Sequence, residues 1–174
     1  NIPGTGALAL TGLGVTFPIL MIISAFAAFV GMGAAPLASM QMGAGKNEKA
    51  EKILGTSTLL LTLLAVVLTT VFLIFKRPLL YLFGASDNII GYAEDYITIY
   101  LLGTVFVMFS LGLNAFISAQ GFATTAMLSV LIGAVSNIVL DPIFIFALNM
   151  GVRGAALATI LSQAVSSLWV LRFL

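Results

Sequence analysis

An all-α, polytopic transmembrane bundle is the fold class this sequence predicts, and three observations carry it: scarce charge, long apolar runs, and short breaks between them. Only 7% of the 174 residues are charged, against 61% hydrophobic, and the mean hydropathy is +1.19. A water-soluble domain carries about 25% charged residues because its surface must be solvated. Seven basic and six acidic side chains cannot clothe a globule of this size, but they suffice to mark the ends of several spans. The lipid bilayer is therefore an expected partner, and a multi-pass place in a cell membrane the expected location.

Five apolar runs follow one another: residues 8–40, 53–75, 89–119, 126–148 and 155–173. Each reaches about the 20 residues a helix needs to cross ~30 Å of hydrocarbon. None shows the sustained period-two alternation of a membrane strand. The first and third exceed what a span needs, so they should tilt, bend or extend beyond the bilayer. Pro18 and Pro36 predict a bend in the first, because each removes a backbone donor from the helix interior. Before the second run, Asn47 is placed to cap the helix, with Glu48 and Glu51 complementing its first turn. Lys76-Arg77-Pro78 is expected to stop that helix, and Ser86 and Asp87 to cap the third. Turns are expected at Gln120–Thr125 and Asn149–Gly154. Connections this short make successive spans antiparallel neighbours.

An odd number of spans puts the two ends of the chain on opposite sides. Lys46, Lys49, Lys52 and Arg172 mark one side, and Lys76, Arg77 and Arg153 the other, a four-to-three division that favours the first as cytoplasmic. The opening Asn1-Ile-Pro-Gly-Thr-Gly has neither initiator Met nor basic n-region. The chain is accordingly expected to be a stretch of a longer polypeptide. Gly31-Met-Gly33-Ala-Ala and Gly151-Val-Arg-Gly154-Ala-Ala supply the small residues that let helices approach closely in lipid.

The composition also excludes chemistry. A net charge of +1 gives no footprint for nucleic acid. Without cysteine or histidine this stretch offers no disulfide, thiolate, zinc site or imidazole relay. No paired acid and base remain to make it an enzyme, and no resident cofactor is expected.

Asp141 is the informative residue, the one acid deep inside an apolar run. A mid-span aspartate costs about 2.5–3.5 kcal/mol on insertion scales and faces the bundle interior or a wet cavity. Asn137 lies four residues earlier on the same helical face, and Pro142 follows directly. Pro142 donates no N–H to the carbonyl of Ile138, which makes it a candidate hinge. A carboxylate, an amide oxygen and a freed carbonyl within one turn suit a small hard cation such as Na+ held at Asp141 and Asn137, and equally a carboxyl that binds and releases a proton. The bland alternative is a structural hydrogen bond to another span. Asn114, Thr159 and Gln163 read by themselves as interhelical glue. Glu94, Asp95, Tyr96 and Tyr100 read as an interfacial cap with an aromatic belt.

Several motifs in order resemble a known family. They are Phe17-Pro18 with Gly31-x-Gly33-Ala, Gly43-Ala-Gly45-Lys with Glu48, Ala50 and Glu51, and Pro78-Leu-Leu-Tyr-Leu-Phe-Gly-Ala85. Ala119-Gln-Gly121, Asn137-x-x-x-Asp141-Pro142-Ile-Phe and Gly151-Val-x-Gly154-Ala-Ala-Leu-Ala-Thr159 complete the set. Together they resemble the multidrug and toxic compound extrusion (MATE) family along essentially the whole chain. The resemblance implies spans two to six of a twelve-span, two-lobed transporter, this chain being part of the N-terminal lobe and the remaining lobe its partner. It implies export of cationic or amphipathic organic compounds by antiport against H+ or Na+, with alternating access. It also implies a coupling-cation site at the positions of Asp141, Asn137, Asn114 and Thr159, which a first-span aspartate upstream usually completes. Where a basic residue often precedes the turn glycine, this chain has Ser118-Ala-Gln120. A flippase for lipid-linked oligosaccharide of the same superfamily is one alternative, although lysine and arginine avoid the span interiors here. A non-catalytic membrane scaffold, with Asp141 as glue, is another.

Overall fold

The computed structural model describes residues 6–174. The first five, on which the expectation of a mid-polypeptide start rests, lie outside the described residues. Helix α1 spans Gly6–Gly43, α2 Asn47–Leu82, α3 Ile90–Leu102, α4 Thr104–Gly112, α5 Asn114–Ala119 and α6 Ala123–Pro142. A π-helical turn, Ile143–Ala147, extends α6, and α7 runs Gly151–Phe173. No strand occurs among the described residues. Among the described residues four helices are long and apolar enough to cross a membrane, and α3 with α4–α5 passes the same test as a pair bent by 60°. All five expected apolar runs are therefore helical.

Helix α1 runs through the middle of the bundle, packing against α2, α3, α4 and α5, while α7 packs against α3, α4 and α6. The shared interior holds Ile19, Ile23, Leu61, Ile97, Leu101 and Met108, all fully buried. Phe29, Met32, Leu59, Val66 and Ile74 point outward. An apolar exterior of this extent suits acyl chains and not water.

Sequence and structure part company in how the long runs accommodate their length. The run with two prolines stays one 38-residue helix with Pro18 and Pro36 inside it. Each proline deletes a single backbone bond without ending the helix. The run without proline is the one that breaks, at Gly103. Gly103 is buried against Ile160, and a Cβ there would lie 2.7 Å from Ile160 Cγ1, so α3 and α7 meet closely at the bend. Thr69 on α2 donates from Oγ1 to the carbonyl of Leu101 at 2.9 Å, satisfying an acceptor beside the break. Thr69→Val should therefore cost ~1 kcal/mol, measured as a lower unfolding temperature in detergent.

Three helix-end expectations also change. Asn47 is the first residue of α2 and makes no capping hydrogen bond, although Glu48 does stand in the first turn. It pairs with exposed Lys52 at 2.8 Å. Pro78 does not stop α2, which continues to Leu82. One turn beyond the apolar run, polar surroundings can solvate a carbonyl that proline leaves free. Lys76 there donates to Thr98 Oγ1 of α3 at 2.8 Å, holding the two helices together. Finally, α3 begins at Ile90 without a side-chain cap. Ser86 serves it through its backbone carbonyl, which accepts from the N–H groups of Ile89 and Ile90, while Asp87 accepts from the Tyr81 hydroxyl at 2.9 Å. The turn at Gln120 is present, with Gly121 at φ +90°, a left-handed conformation that glycine adopts without steric cost.

Candidate functional site

The site begins with the way α6 ends. Pro142 closes the α-helical part, and the chain widens into the π-helical turn, in which the N–H of Leu148 reaches the carbonyl of Ile143 at 2.9 Å. The N–H of Met150 then bonds the carbonyl of Phe144 at 3.1 Å, and α7 turns back against α6. Gly154 makes that return possible, because a Cβ there would sit 2.7 Å from the Phe144 backbone. The result is a tight antiparallel pair, α6 and α7, with the polar faces of both turned toward α3 and α4.

On α6, Asn137 and Asp141 share a face as the four-residue spacing predicts, and Asn137 Nδ2 donates to Asp141 Oδ1 at 3.4 Å. Both side chains are half-buried, on an otherwise apolar helix whose Ile138 and Val139 face outward. Across from them on α7, Thr159 donates from Oγ1 to the carbonyl of Ala155 at 2.9 Å, which leaves its oxygen lone pairs free to accept. The Tyr96 side chain of α3 lies in the neighbourhood of Thr159 and Asp141. Asn137, bonded to Asp141, thus lines one cavity with Thr159 of the neighbouring helix, and Tyr96 of α3 lies nearby.

Tyr96 is the member that sequence reasoning missed. Its place near the start of a span suggested an interfacial belt, yet Tyr96 and Tyr100 are buried at 8% and 5% exposure. Their rings stack with centroids 6.1 Å apart. The available signal was the four-residue spacing of the two tyrosines, in phase with inward-facing Ala93 and Ile97. The neighbouring Asp95 pairs with Arg153 at the head of α7 at 2.9 Å.

Asn114 is placed elsewhere. Its Oδ1 accepts from Ser129 Oγ at 3.2 Å, and Ser129 precedes Asn137 by eight residues, or ~12 Å along the helix axis. Gln163, one turn beyond Thr159, accepts a hydrogen bond from Ser110 Oγ of α4. Between these levels lies a cavity of about 240 Å³ whose lining includes Ser110, Asn137, Thr159, Ser162, Gln163 and Ser166. A larger groove of about 740 Å³ between α1 and α2 is almost wholly apolar and lies on other helices.

In chemical terms the site offers one carboxylate supported by neutral oxygens. Among the described residues no three acidic side chains gather as a multivalent metal centre would require. One fixed charge with amide and hydroxyl neighbours fits a monovalent cation or a proton.

Comparison with known proteins agrees with this architecture. The family model described as MatE matches residues 2–143. The multidrug export protein MepA of Staphylococcus haemolyticus is 31% identical over 160 residues, which cover 92% of this chain and 35% of that protein. An inward-facing structure of a multidrug resistance MATE family transporter of the MOP superfamily superposes with a TM-score of 0.94 at 36% identity, covering 98% of this chain and 39% of that one. An outward-facing structure of such a transporter gives 0.91 at 35% identity, over 99% of this chain and 38% of that one. The chain thus spans about a third of the length of the curated relatives it matches.

Proposed function

Since the chain belongs to the MatE family, we propose that it forms spans two to six in the N-terminal lobe of a secondary active transporter. That transporter exports cationic or amphipathic organic compounds from the cell in exchange for H+ or Na+. The coupling cation binds at Asp141, assisted by Asn137 and Thr159. Tyr96 orders the Thr159 side, and Asn114 serves the same polar face farther along. The remaining lobe of the polypeptide completes the substrate cavity, and the Lys46–Lys52 connection faces the cytoplasm. The observation that carries this reading is the cost of Asp141: a half-buried carboxylate on an outward-greasy helix, supported by one long amide bond. A side chain kept only as glue would be matched to a strong donor on another helix.

Cation binding drives transport only if the two conformations differ in affinity for it. The backbone around Asp141 supplies an element that can differ. Pro142 and the π-helical turn leave the end of α6 without the regular bonding ladder, so the carboxylate can shift relative to Thr159 at little cost. The similarity of this stretch to both inward- and outward-facing structures fits a lobe that keeps its fold while that local change takes place.

Labelling with dicyclohexylcarbodiimide, which attacks protonated carboxyls in apolar surroundings, tests the reading on the full-length protein. Asp141 should be modified in low-sodium buffer at acid pH. Raised pH or, for a sodium-coupled protein, added Na+ should protect it. A labelling yield indifferent to both would reject the cation site.

A further inference from the structure

The predicted site residues do not all meet at one point, and what lies between them forms a pattern. From Asp141 the polar groups continue through Asn137 to the cavity that holds Thr159, Gln163 and Ser110. Beyond it Ser166 Oγ donates to the carbonyl of Ser129 at 2.9 Å, and Ser129 Oγ donates to Asn114 Oδ1 at 3.2 Å. The file descends between α4–α5, α6 and α7 toward the Gln120 turn. It crosses a region where the other faces of these helices carry leucine, valine and phenylalanine. A single structural hydrogen bond would not need eight polar residues along one file.

Resting on the reading of Asp141 as the cation site, we infer that this cavity is a hydrated route by which the coupling cation passes between Asp141 and the Gln120 side of the bundle. Asp141 lies near the opposite end, only six residues before the end of the π-helical turn. A cation leaving it toward the Gln120 side must pass most of the length of α6. A cavity of about 240 Å³ far exceeds the ~30 Å³ that one water molecule takes up in the liquid. Its walls offer hydroxyl and amide groups to hold such waters. Neither a carboxylate nor a basic group lines it. Leu111, Val130 and Ala134 make up much of the remaining wall, so the ion would pass with its waters along the file of neutral oxygens, which bind it without trapping it. The Ser110–Gln163 pair joins α4 to α7 across the cavity and narrows the route. Gly133 on α6 keeps it open: a Cβ there would come 3.4 Å from Ser166 Cβ, and a larger side chain would extend into the space.

The test uses the full-length protein in sealed vesicles of known orientation, with cysteines outside this stretch replaced. Ser162→Cys places a thiol in the cavity wall, and the permanently charged, membrane-impermeant reagent 2-(trimethylammonium)ethyl methanethiosulfonate reports water access from one side at a time. Modification is expected at least tenfold faster from the Gln120 side than from the other, and Gly133→Val in the same protein should slow it about tenfold. Gln163→Cys provides a second reporter should Ser162→Cys fold poorly. A thiol inert from the Gln120 side, or one equally reactive with and without the valine, overturns the route. Carbodiimide labelling of Asp141 in the same preparations separates the two ideas. Ion-dependent labelling with an inert cavity thiol sinks only the route, whereas ion-independent labelling sinks the cation site on which it rests.

Discussion

Asp141→Asn is expected to abolish gradient-driven export by the full-length protein while leaving its folded yield unchanged or higher. Asparagine keeps the size of the side chain and can still meet Asn137, but it neither ionises nor exchanges a proton. The consequence is thermodynamic before it is kinetic. Each tenfold gradient of the coupling ion supplies about 1.4 kcal/mol per ion exchanged. With one ion exchanged per substrate molecule, that supports at most a ~tenfold substrate gradient. The variant should support none, so substrate concentrations should equalise across the membrane however large the ion gradient. Stability should move the other way, because a neutral amide costs less than a carboxylate in apolar surroundings. Substrate accumulation in proteoliposomes measures the first effect, and the yield of monodisperse protein in detergent the second. Coupled transport near the wild-type level at normal yield would remove Asp141 from the mechanism.

Gly31→Ala should be the most damaging of the conservative glycine substitutions, although it adds a single methyl group. Helix α1 crosses the end of α4 at Gly31 and Gly112 with backbone against backbone. A Cβ at Gly31 would fall well inside contact distance of the Gly112 carbonyl oxygen and 3.0 Å from its Cα. Neither atom can rotate away, so the helices themselves must separate. Overpacking usually costs ~1–3 kcal/mol when side chains can adjust, and here they cannot, so a loss of ~3 kcal/mol or outright failure to fold is expected. Gly33 supplies the matched control. It sits on the same helix and in the same motif, but a Cβ there would have nothing within 4 Å. Gly33→Ala should therefore be neutral or gain up to ~1 kcal/mol from helix propensity. Thermal unfolding of the two variants in one detergent would reveal the contrast. Equal stabilities would mean that the α1–α4 crossing is looser than its geometry implies.

The contrast between Gly31 and Gly33 also marks how far the sequence could be read. Both belong to one small-residue motif, and their spacing signals close packing without saying which glycine lies at the crossing. Two residues are about 200° apart around a helix, so one faces inward and the other outward, and the facing is set by the neighbours. The same limit applies to Pro18, Pro36 and Gly103. The prolines do not interrupt α1, whereas the proline-free run breaks at Gly103, where α7 brings Ile160 against Gly103 and Thr69 takes up the carbonyl of Leu101. Tyr96 illustrates the converse error. Depth along the helix was legible and suggested an interface; azimuth was not, and azimuth puts the ring against Thr159.

Taken alone, the sequence determined that the chain is a bundle of membrane-length apolar helices, in what order they follow, and that Asp141 and Asn137 share one helical face. These are properties of composition, length and four-residue periodicity, which act within one helix and need no partner. Tertiary structure alone decided which helix bends, which glycine touches a backbone, and which polar side chains meet across spans. Gln163 with Ser110, Ser166 with Ser129, and Asn114 with Ser129 are pairings between residues separated by between fifteen and fifty-three positions. Such pairings depend on the rotation and offset of whole helices, and in lipid those are settled by side-chain packing summed along each interface.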